Sequence, residues 1–568
     1  MTTSDRTATW RARIEDHLAR MYDAAQVDLQ ALAVRLAGAI GGSPEALDAA
    51  ASGDPVERWS ERDAVLITYG NTFSAPGEVP LRTLERVVDR LLGEQVSMVH
   101  VLPFSPFSSD DGFSVIDPWE IDPDLGTWAD LEHLARQQGL MADLVVNHLS
   151  ASSPWFERFR QGVEPGRSWF VTADPSDDLS AVVRPRQHDL LRPIETADGV
   201  RHVWCTFSHD QIDVDVQNPD VLVELIALVG QLVATGARFV RLDAIAFLWK
   251  EVGTSCIHLP QTHEFVKLLN TLLAVAAPEV VVLTETNVAH VENLSYLGDG
   301  DEAHMAYNFS LPPLTVMAML DGDATPLVRW LGDLEATPPG TTLLSFLACH
   351  DGIGVRPLNG LVPDEDVDRL AAAIVERGGE VSMAATPAGP RPYELNTTMW
   401  SALADVDGDP ELDLARFLAA HTLMLSVRGV PALYVHSVLG SPNFEELRTA
   451  TGRARSLNRG RLTEAEVDTI LAEDEIRAAV VSGIRARLRA RQGHPAFHPE
   501  ASQAVVDLGS DVVALRRTAA DGREVVAVHN VTRHEVEVDL PDGIDLLTGA
   551  PAVAGPLRPY ECRWIALG

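Results

Sequence analysis

The chain has 568 residues, of which 46% are apolar and 22% are charged, a composition typical of a globular protein with a large core. Its formal net charge is −37, from 45 basic and 82 acidic side chains. Such a field repels nucleic acids and anionic membranes, so the composition argues against both as partners, and an anionic substrate would need local cations.

The N-terminal region carries no apolar signal segment, and no part of the chain approaches the about 18 consecutive apolar residues of a membrane span. We therefore expect a cytoplasmic protein without membrane partners. Residues 1–60 place apolar side chains at steps of three and four, which predicts a helical extension. The four cysteines are far apart and lack CxxC spacing, so neither a disulfide framework nor a metal cluster is indicated.

From residue 63 onward, eight short apolar runs recur, and most of them precede a helical pattern. The runs are AVLITYG, SMVHVLPF, MADLVVNH, ARFVRLDA, VVVLTETN, MAYNFS, TLLSFLACHD and VPALYV. Near-continuous apolar strands that alternate with helices predict a parallel sheet covered on both faces, and eight such units predict an α/β fold of the (β/α)8 TIM barrel type. The alternative is a doubly wound open sheet, but the Gly-rich phosphate turn typical after its first strand is missing.

Two intervals are too long to be simple connections, one after the third strand and one after the seventh. We predict inserted subdomains there, at the C-terminal face of the barrel. Short alternating runs near the C-terminus, including DVVALRRT, EVVAVHNVT and HEVEVDL, predict a small antiparallel β domain. The predicted parts are the extension 1–60, the barrel segments 61–148, 226–351 and 411–495, the insertions 149–225 and 352–410, and the β domain 496–568.

Polar side chains stand at the ends of several predicted strands. Strand four ends with Arg241 and Asp243, strand five with Glu285, strand seven with His350 and Asp351, and strand three with His148. Strand ends of a barrel converge on one pocket, so we expect these groups to face one cavity. Arg241 lies on the same side of its strand as Asp243 and would keep that carboxylate ionised.

Three carboxylates at strand ends suit glycoside chemistry. One carboxylate attacks the anomeric carbon, a second protonates the leaving oxygen, and a third can hold sugar hydroxyl groups. The alternative is that these residues form structural salt bridges and helix caps. That alternative would be preferred for any one of them, but their recurrence at three strand ends favours an active site.

The segments DLVVNH, RLDA, TETN and CHDG resemble the four signature blocks of the α-amylase family of glycoside hydrolases. The resemblance implies that Asp243 is the nucleophile, that Glu285 is the general acid/base, and that Asp351 stabilises the transition state. Segments such as LITYGNTFS and HDGIGVRPLNGLVP look like the sucrose-phosphorylase branch, in which nearly the whole chain is most similar to the glucosylglycerate phosphorylases.

The branch resemblance implies a reaction. Its members cleave an α-glucoside with phosphate, with net retention, through a β-glucosyl-enzyme, and release α-D-glucose 1-phosphate. The implied substrate is 2-O-α-glucosyl-D-glycerate, with phosphate as co-substrate and without a cofactor. A metal enzyme is an alternative, because related amylases often bind calcium, but no Asp/Asn cluster in the sequence demands a metal and we expect none. The expected partners are the small-molecule glucoside and phosphate, and a homodimer is one candidate for the assembly.

The resemblance also implies binding residues. The implied substrate-binding residues are Asp110, Phe113, His148, Gln211, Arg241, His350 and Arg459. Arg186 is the implied phosphate ligand, although Arg184 and Arg186 could equally belong to a solvated loop. A phosphate site in a chain of such negative charge needs local cations, which favours the functional interpretation.

Lys250 attracts attention because the chain has 43 arginines and only two lysines, Lys250 and Lys267. Lys250 follows the nucleophile candidate closely, so we predict that its compact ammonium binds the acceptor's carboxylate. The alternative is that Lys250 has been retained by chance and that its aliphatic stem packs on Trp249.

One departure from the pattern of related enzymes leaves the identity of the acceptor open. Related enzymes usually have Asn-Asp where this chain has Asn443–Phe444, with a register shift onto Glu445 or Glu446 as an alternative. Sucrose, sucrose 6'-phosphate and glucosylglycerol phosphorylases are therefore the competing activities. A hydrolase or transglucosidase would share the catalytic trio and differ in its independence of phosphate.

Overall fold

The computed structural model describes residues 9–49, 56–186, 188–386, 389–552 and 555–568. Its barrel strands are β1 (Val65–Thr68), β2 (Met98–Val101), β3 (Leu140–Val145), β4 (Ala237–Asp243), β5 (Val281–Thr284), β6 (Met305–Tyr307), β7 (Thr342–Phe346) and β8 (Val430–Tyr434). They close into a barrel in the order β1-β8-β7-β6-β5-β4-β3-β2. Each of the eight predicted runs coincides with one barrel strand to within a residue at its start, so the TIM barrel is confirmed and the doubly wound sheet is excluded.

The barrel strands are continuous apolar runs because both of their faces are covered. Every residue of β1, β3, β5 and β8 is buried, and in β4 only Arg238 is partly exposed. A parallel sheet with helices outside and packed side chains inside has no face for alternating polar residues. The helices between or after the strands are Pro80–Leu91, Trp128–Gln138, Pro219–Thr235, Pro260–Ala276, His290–Leu294, Leu311–Asp321, Thr325–Asp333, Pro410–Ser426, Val435–Val438, Glu445–Thr451, Glu464–Glu473 and Glu475–Gln492.

The N-terminal region is helical where it is described. Its helices are Trp10–Met21, Leu29–Ala39 and Pro44–Leu47. Ser43 caps the third helix by accepting a hydrogen bond from Ala46 N at 3.2 Å, as Ser before Pro at a helix start predicts. After the first helix, the Tyr22 hydroxyl donates to Val216 O at 2.6 Å, and the Tyr22 ring meets Trp249 edge-on at 5.9 Å. The extension thus contacts the segment that follows β4.

Small sheets follow β3 and β7. After β3, His148–Ser150 pairs with Gln211–Asp213, and Leu191–Thr196 pairs with Gly199–Trp204, in both cases antiparallel. After β7, Gly389–Asn396 lies between Ile353–Gly354 and Glu380–Thr386 in an antiparallel sheet. The accompanying helices are Pro154–Gln161, Asp364–Glu376 and Met399–Leu403.

A six-stranded sheet ends the chain. Its strands are Ser502–Val505, Val512–Thr518, Glu524–Asn530, Ile544–Asp545, Ala550–Pro551 and Cys562–Ala566. The prediction of a strand over HEVEVDL, residues 534–540, is wrong, because this segment forms only an isolated bridge between Val536 and Leu557. Its alternation has another cause: Val536, Val538 and Leu540 pack on the buried core of the sheet without joining its ladder.

The described residues fall into two compact units. The first contains the described parts of 1–58, 101–286 and 294–306, and the second contains those of 59–100, 287–293 and 307–568. Strands β3, β4 and β5 therefore belong to the first unit, and β1, β7 and β8 belong to the second. Over the part of the chain that the structure describes, no helix has both the length and the apolar character needed to span a bilayer.

Candidate active site

Arg241 connects the carboxylates at the strand ends of the first unit. Its Nη1 donates to Asp243 Oδ1 at 2.9 Å and to Asp143 Oδ1, while its Nη2 lies 3.9 Å from Glu285 Oε2. Asp143 stands directly opposite Arg241 in the β3–β4 register. The Arg241 side chain is only 3% exposed, so one buried guanidinium is paired with carboxylates from three neighbouring strands. Such pairing is what makes buried charge tolerable.

The backbone holds Glu285 beside the end of β4. Glu285 N donates to Leu242 O at 3.1 Å, and Ala244 N donates to Glu285 Oε2 at 3.3 Å. Ala244 has φ +52°, in the left-handed region, so the chain turns sharply directly after Asp243 and its amide reaches the Glu285 carboxylate. Asp243 and Glu285 therefore lie on adjacent strands with both carboxylates tied to the segment 241–244.

His148 and its neighbours form a buried polar group in the first unit. His148 Nε2–H donates to Phe113 O at 3.0 Å, and Gln211 Nε2 donates to Asp110 Oδ2 at 3.4 Å. Burial lowers the pKa of His148 below its usual value, against the opposing effect of nearby Asp213. The imidazole is therefore neutral near pH 7, as suits a ligand for sugar hydroxyl groups.

Phe113 also contacts the strand-end charges. The Arg241 guanidinium lies over the Phe113 ring at 5.6 Å, a cation–π arrangement. The structure thus brings together, within the first unit, the predicted residues Asp110, Phe113, His148, Gln211 and Arg241.

The surroundings of Lys250 argue against its predicted role in binding the acceptor. Lys250 Nζ donates to Asn147 Oδ1 at 2.8 Å and to Phe247 O, and it pairs with Asp213 Oδ2 at 2.8 Å. An ammonium has three N–H donors, so these partners account for all of them. The side chains of Lys250 and Asp213 are 4% and 0% exposed. Lys250 is therefore a buried structural cation that ties the loop after β4 to Asn147 and to the strand Gln211–Asp213.

The second unit carries Asp351, which follows β7 and is held by two arginines. Its Oδ1 accepts from Arg455 Nη1 at 2.5 Å and from Arg459 Nη2 at 3.2 Å. His350 Nε2 lies 3.6 Å from Asp351 Oδ2, and the His350 ring meets Tyr69 edge-on at 6.0 Å. Two guanidinium groups on one oxygen hold the orientation of this carboxylate.

Arg459 is anchored by the backbone and by an aromatic ring. Its Nε donates to His350 O at 2.8 Å, and its guanidinium lies 5.8 Å from the Tyr69 ring. Asn458 Nδ2 also donates to Asp351 O at 3.0 Å. The predicted residues His350, Asp351 and Arg459 therefore lie together, within the second unit.

Cys349, His350 and Asp351 offer metal-type ligand atoms within 4.8 Å of one another. Asp351, however, already contacts Arg455 and Arg459, and their positive charges oppose a cation at the same place. The donor set therefore fits a hydrogen-bonding site better than a metal site.

Arg184 and the predicted phosphate ligand Arg186 differ in their exposure. Arg186 is half-buried and Arg184 is exposed, on a segment that Val183 N anchors to Ser255 O at 2.9 Å. The role of Arg186 in binding phosphate therefore stays a prediction.

Phe444 packs against a glycine beside the arginines of the second unit. A Cβ added to Gly460 would lie 2.2 Å from the Phe444 ring, and the ring meets His436 at 4.8 Å. Glu445 and Glu446 begin the next helix and are exposed. The aromatic ring at position 444 is therefore a packing element of the loop that carries Asn458 and Arg459.

Four residues escaped the sequence-based prediction. Asp143 is an acid in a buried strand opposite Arg241, and Tyr69 directly follows β1. Arg455, which is partly exposed, pairs with the buried Glu394. The detectable signals are the acid within the apolar run MADLVV and the four arginines within nine residues of RARSLNRGR.

Comparisons with known proteins show the family and the fold of this chain. A model of the alpha amylase catalytic domain matches residues 91–329. The glucosylglycerate phosphorylase of Allomeiothermus silvanus is 44% identical, and the alignment covers 91% of this chain and 94% of that protein. The glucosylglycerate phosphorylase of Escherichia coli is 40% identical, with 90% of this chain and 92% of that protein covered. The crystal structure of sucrose 6F-phosphate phosphorylase from Thermoanaerobacter thermosaccharolyticum superposes with a TM-score of 0.72 and 24% sequence identity. The superposition covers 83% of this chain and 94% of that chain. The last similarity concerns the fold.

Proposed function

Because this chain belongs to the family of the glucosylglycerate phosphorylases, with the catalytic domain of the α-amylases, we propose that it cleaves 2-O-α-glucosyl-D-glycerate with inorganic phosphate. The products are α-D-glucose 1-phosphate and D-glycerate. The observation that best supports this proposal is the arrangement around Arg241, which holds Asp243 and Glu285 on adjacent strand ends. Retaining transfer needs two such carboxylates.

The first half-reaction forms a glucosyl-enzyme. Arg241 holds Asp243 Oδ1, so we assign the attack on the anomeric carbon to Oδ2. The bond from that carbon to the glycerate oxygen breaks, and Glu285 donates its proton to the departing oxygen. Asp351, held by Arg455 and Arg459, is the candidate group for the sugar hydroxyls.

The second half-reaction transfers the glucosyl group to phosphate. A phosphate oxygen attacks the anomeric carbon, the ester bond to Asp243 breaks, and Glu285 takes the proton that phosphate releases. Two inversions give net retention, so the product is the α anomer. Arg186 is the candidate that binds the incoming dianion through charge-assisted hydrogen bonds. Phosphate acts as a co-substrate, and we propose that no cofactor is required.

Phosphorolysis of a small panel of α-glucosides tests the proposal. The panel contains glucosylglycerate, glucosylglycerol, sucrose and sucrose 6'-phosphate, and glucose 1-phosphate is measured with its anomeric form. We expect the highest kcat/KM with glucosylglycerate, only the α anomer, and the same rate after dialysis against a chelator. A preference for another glucoside would refute the acceptor assignment, whereas phosphate-independent release of glucose would indicate a hydrolase.

A further inference from the structure

The carboxylate of Asp210 holds three serine hydroxyls of the connection that follows β2. The acceptor is Oδ2, and the donors are the Oγ atoms of Ser109, Ser108 and Ser114, at 2.5, 2.6 and 2.7 Å. Burial raises the pKa of Asp210, but these hydrogen bonds outweigh burial, so its pKa lies below the usual value. Asp210 is therefore an ionised acceptor near pH 7, and each contact is a charge-assisted hydrogen bond.

The serines flank a backbone segment in an unfavourable conformation. Asp110 and Asp111 have φ of +55° and +50°, and Gly112 has φ +116°. Glycine adopts this left-handed region freely, but two successive aspartates there are strained and persist only when their surroundings hold them. A side chain at Gly112 would not fit, since a Cβ would lie 2.9 Å from Pro103 O. The conformation of the segment therefore depends on the contacts at its ends.

Ser109 and Ser114 stand at the two ends of that segment. Ser114 N donates to Ser109 O at 3.3 Å, and Ser108 N donates to Ser114 O at 3.0 Å, which brings the ends together. Asp210 is fixed by the backbone, because its carbonyl accepts from Ala151 N at 2.7 Å. Since the carboxylate accepts from hydroxyls on both sides of the segment, it ties the two ends to one point.

The tied segment carries two of the predicted glucosyl ligands, Asp110 and Phe113. Gln211 directly follows Asp210 in the chain, and its Nε2 donates to Asp110 Oδ2 and to Phe113 O, both at 3.4 Å. The Arg241 guanidinium lies over the Phe113 ring at 5.6 Å. A shift of the segment would therefore move both ligands away from Gln211 and Arg241.

We propose that Asp210 is a positioning residue for recognition of the glucosyl group: through the three serines it holds Asp110 and Phe113 where they bind the sugar. This inference rests on the proposed function. Asp210 acts through its neighbours, and all of these residues belong to the first unit. Removal of its carboxylate should therefore weaken the grip on the glucosyl hydroxyl groups, while Asp243 and Glu285 stay on their strand ends.

Glucosyl transfer to D-glycerate from a series of monodeoxy α-D-glucose 1-phosphates tests the inference. Each donor lacks the hydroxyl group at the second, third, fourth or sixth carbon, and kcat/KM is compared with that of α-D-glucose 1-phosphate. The hydroxyl group that Asp110 binds is the one whose removal costs the wild type about 10- to 100-fold, the range for one hydrogen bond to a charged group, but costs Asp110→Ala little. The intrinsic reactivity of a deoxy donor is common to all variants and cancels in this comparison.

We expect Asp210→Ala to reproduce the loss of discrimination in Asp110→Ala. The cost of removing that one hydroxyl group should fall towards the value in Asp110→Ala, although Asp110 is still present. Asp210→Asn keeps an oxygen acceptor without the charge and should give an intermediate cost. A role in the fold alone would lower the rates with all donors equally and would leave the discrimination unchanged.

Asp124→Ala is the matched control, because Asp124 is an exposed aspartate of the same connection and its loss changes the net charge equally. Its discrimination among the donors should stay at the wild-type value. If Asp210→Ala does not fold, the double variant Ser109→Ala/Ser114→Ala removes two of the three hydroxyl donors and keeps the carboxylate. It should shift the discrimination in the same direction.

The outcomes separate the inference from the proposed function. A folded Asp210→Ala protein that discriminates among the donors as the wild type does, whatever its overall rate, overturns the inference and leaves the proposed function intact. An equal change in Asp124→Ala also overturns it, because the effect would then come from the general field. The inference fails as well if no hydroxyl group is coupled to Asp110. If the wild type transfers no glucosyl group from α-D-glucose 1-phosphate to D-glycerate, the proposed function itself is wrong.

Discussion

Arg241 and Asp243 stand two positions apart on β4, and their side chains meet on one side of the strand, where Nη1 donates to Oδ1 at 2.9 Å. Because Arg241 also contacts Asp143 and approaches Glu285, a single guanidinium organises the carboxylates of this strand-end group. The charges in this otherwise apolar strand thus belong to a connected polar network.

The first prediction concerns the nucleophile. Asp243→Asn keeps the shape of the side chain but removes the attacking oxyanion, so phosphorolysis should fall by several orders of magnitude. The thermal unfolding midpoint should stay close to that of the wild type. Asp333→Asn, at an exposed helix end, is the matched control and should be fully active. Near-normal turnover by a folded Asp243→Asn protein would refute the assignment.

The second prediction concerns the acid/base. Glu285→Gln cannot protonate a leaving oxygen, so it should lose most activity with glucosylglycerate and least with α-glucosyl fluoride, whose leaving group needs little protonation. The ratio of the two rates in wild type and variant is the measurement. A ligand-bound structure should place the carboxyl groups of Asp243 and Glu285 about 5–5.5 Å apart, and a separation near 9 Å would instead indicate inversion.

The third prediction concerns phosphate. Arg186→Ala should weaken the use of phosphate much more than the formation of the glucosyl-enzyme, because only the second step receives the anion. Pre-steady-state release of glycerate reports the first step, and the dependence of the rate on phosphate concentration reports the second. Arg184→Ala, an exposed arginine two positions earlier, is the control. Equal losses in both steps would show that Arg186 is structural.

The fourth prediction concerns Lys250. Lys250→Met leaves the Asp213 carboxylate buried without its cation, which should lower the free energy of unfolding by about 3–5 kcal/mol. The double variant Lys250→Met/Asp213→Asn should regain part of that loss, as measured by urea titration. The preference for glycerate over glycerol should be unchanged. A lower preference at unaltered stability would restore the acceptor-binding hypothesis for Lys250.

The fifth prediction concerns acid sensitivity. Burial lowers the pKa of His304 to about 3 and the pKa values of His421, His436 and His529 to about 4. These rings stay neutral in the folded protein but take protons near pH 6.5 once unfolded, so their stabilisation is complete above about pH 6.5. It should be lost as the pH falls from about 6.5 towards 4, by up to about 1.4 kcal/mol per pH unit for each ring.

His421→Gln tests this pH dependence. It removes one such ring from a buried helix position, where Nδ1–H donates to Phe417 O at 2.9 Å. Urea titrations between pH 7.5 and 4.5 should give a shallower loss of stability for the variant than for the wild type. The carboxylates contribute equally to both proteins, so identical slopes would contradict the assignment to His421.

The sequence by itself determined the barrel and the family. Each barrel strand is a short run of mostly buried residues, and burial on both faces favours apolar side chains, so all eight runs could be found in the linear pattern. The segment 534–540 misled the same method, because alternation reports one-sided packing and not a hydrogen-bonded ladder. The contact between Arg241 and Asp243 was predictable as well, since residues i and i+2 of a strand share a side.

Only the tertiary structure decided what the remaining charges do. From its position in the chain, Lys250 was predicted to bind the carboxylate of the acceptor. Its partners Asn147 and Asp213, however, come from segments 103 and 37 residues away. The pair of Arg455 and Glu394 likewise joins the loop after β8 to the sheet after β7. A side chain's charge is fixed by its residue type, but its accessibility and its partners depend on how distant segments pack. That is why the sequence predicted which polar groups end the strands but could not predict the buried partners of Lys250 or the pairing of Arg455 with Glu394.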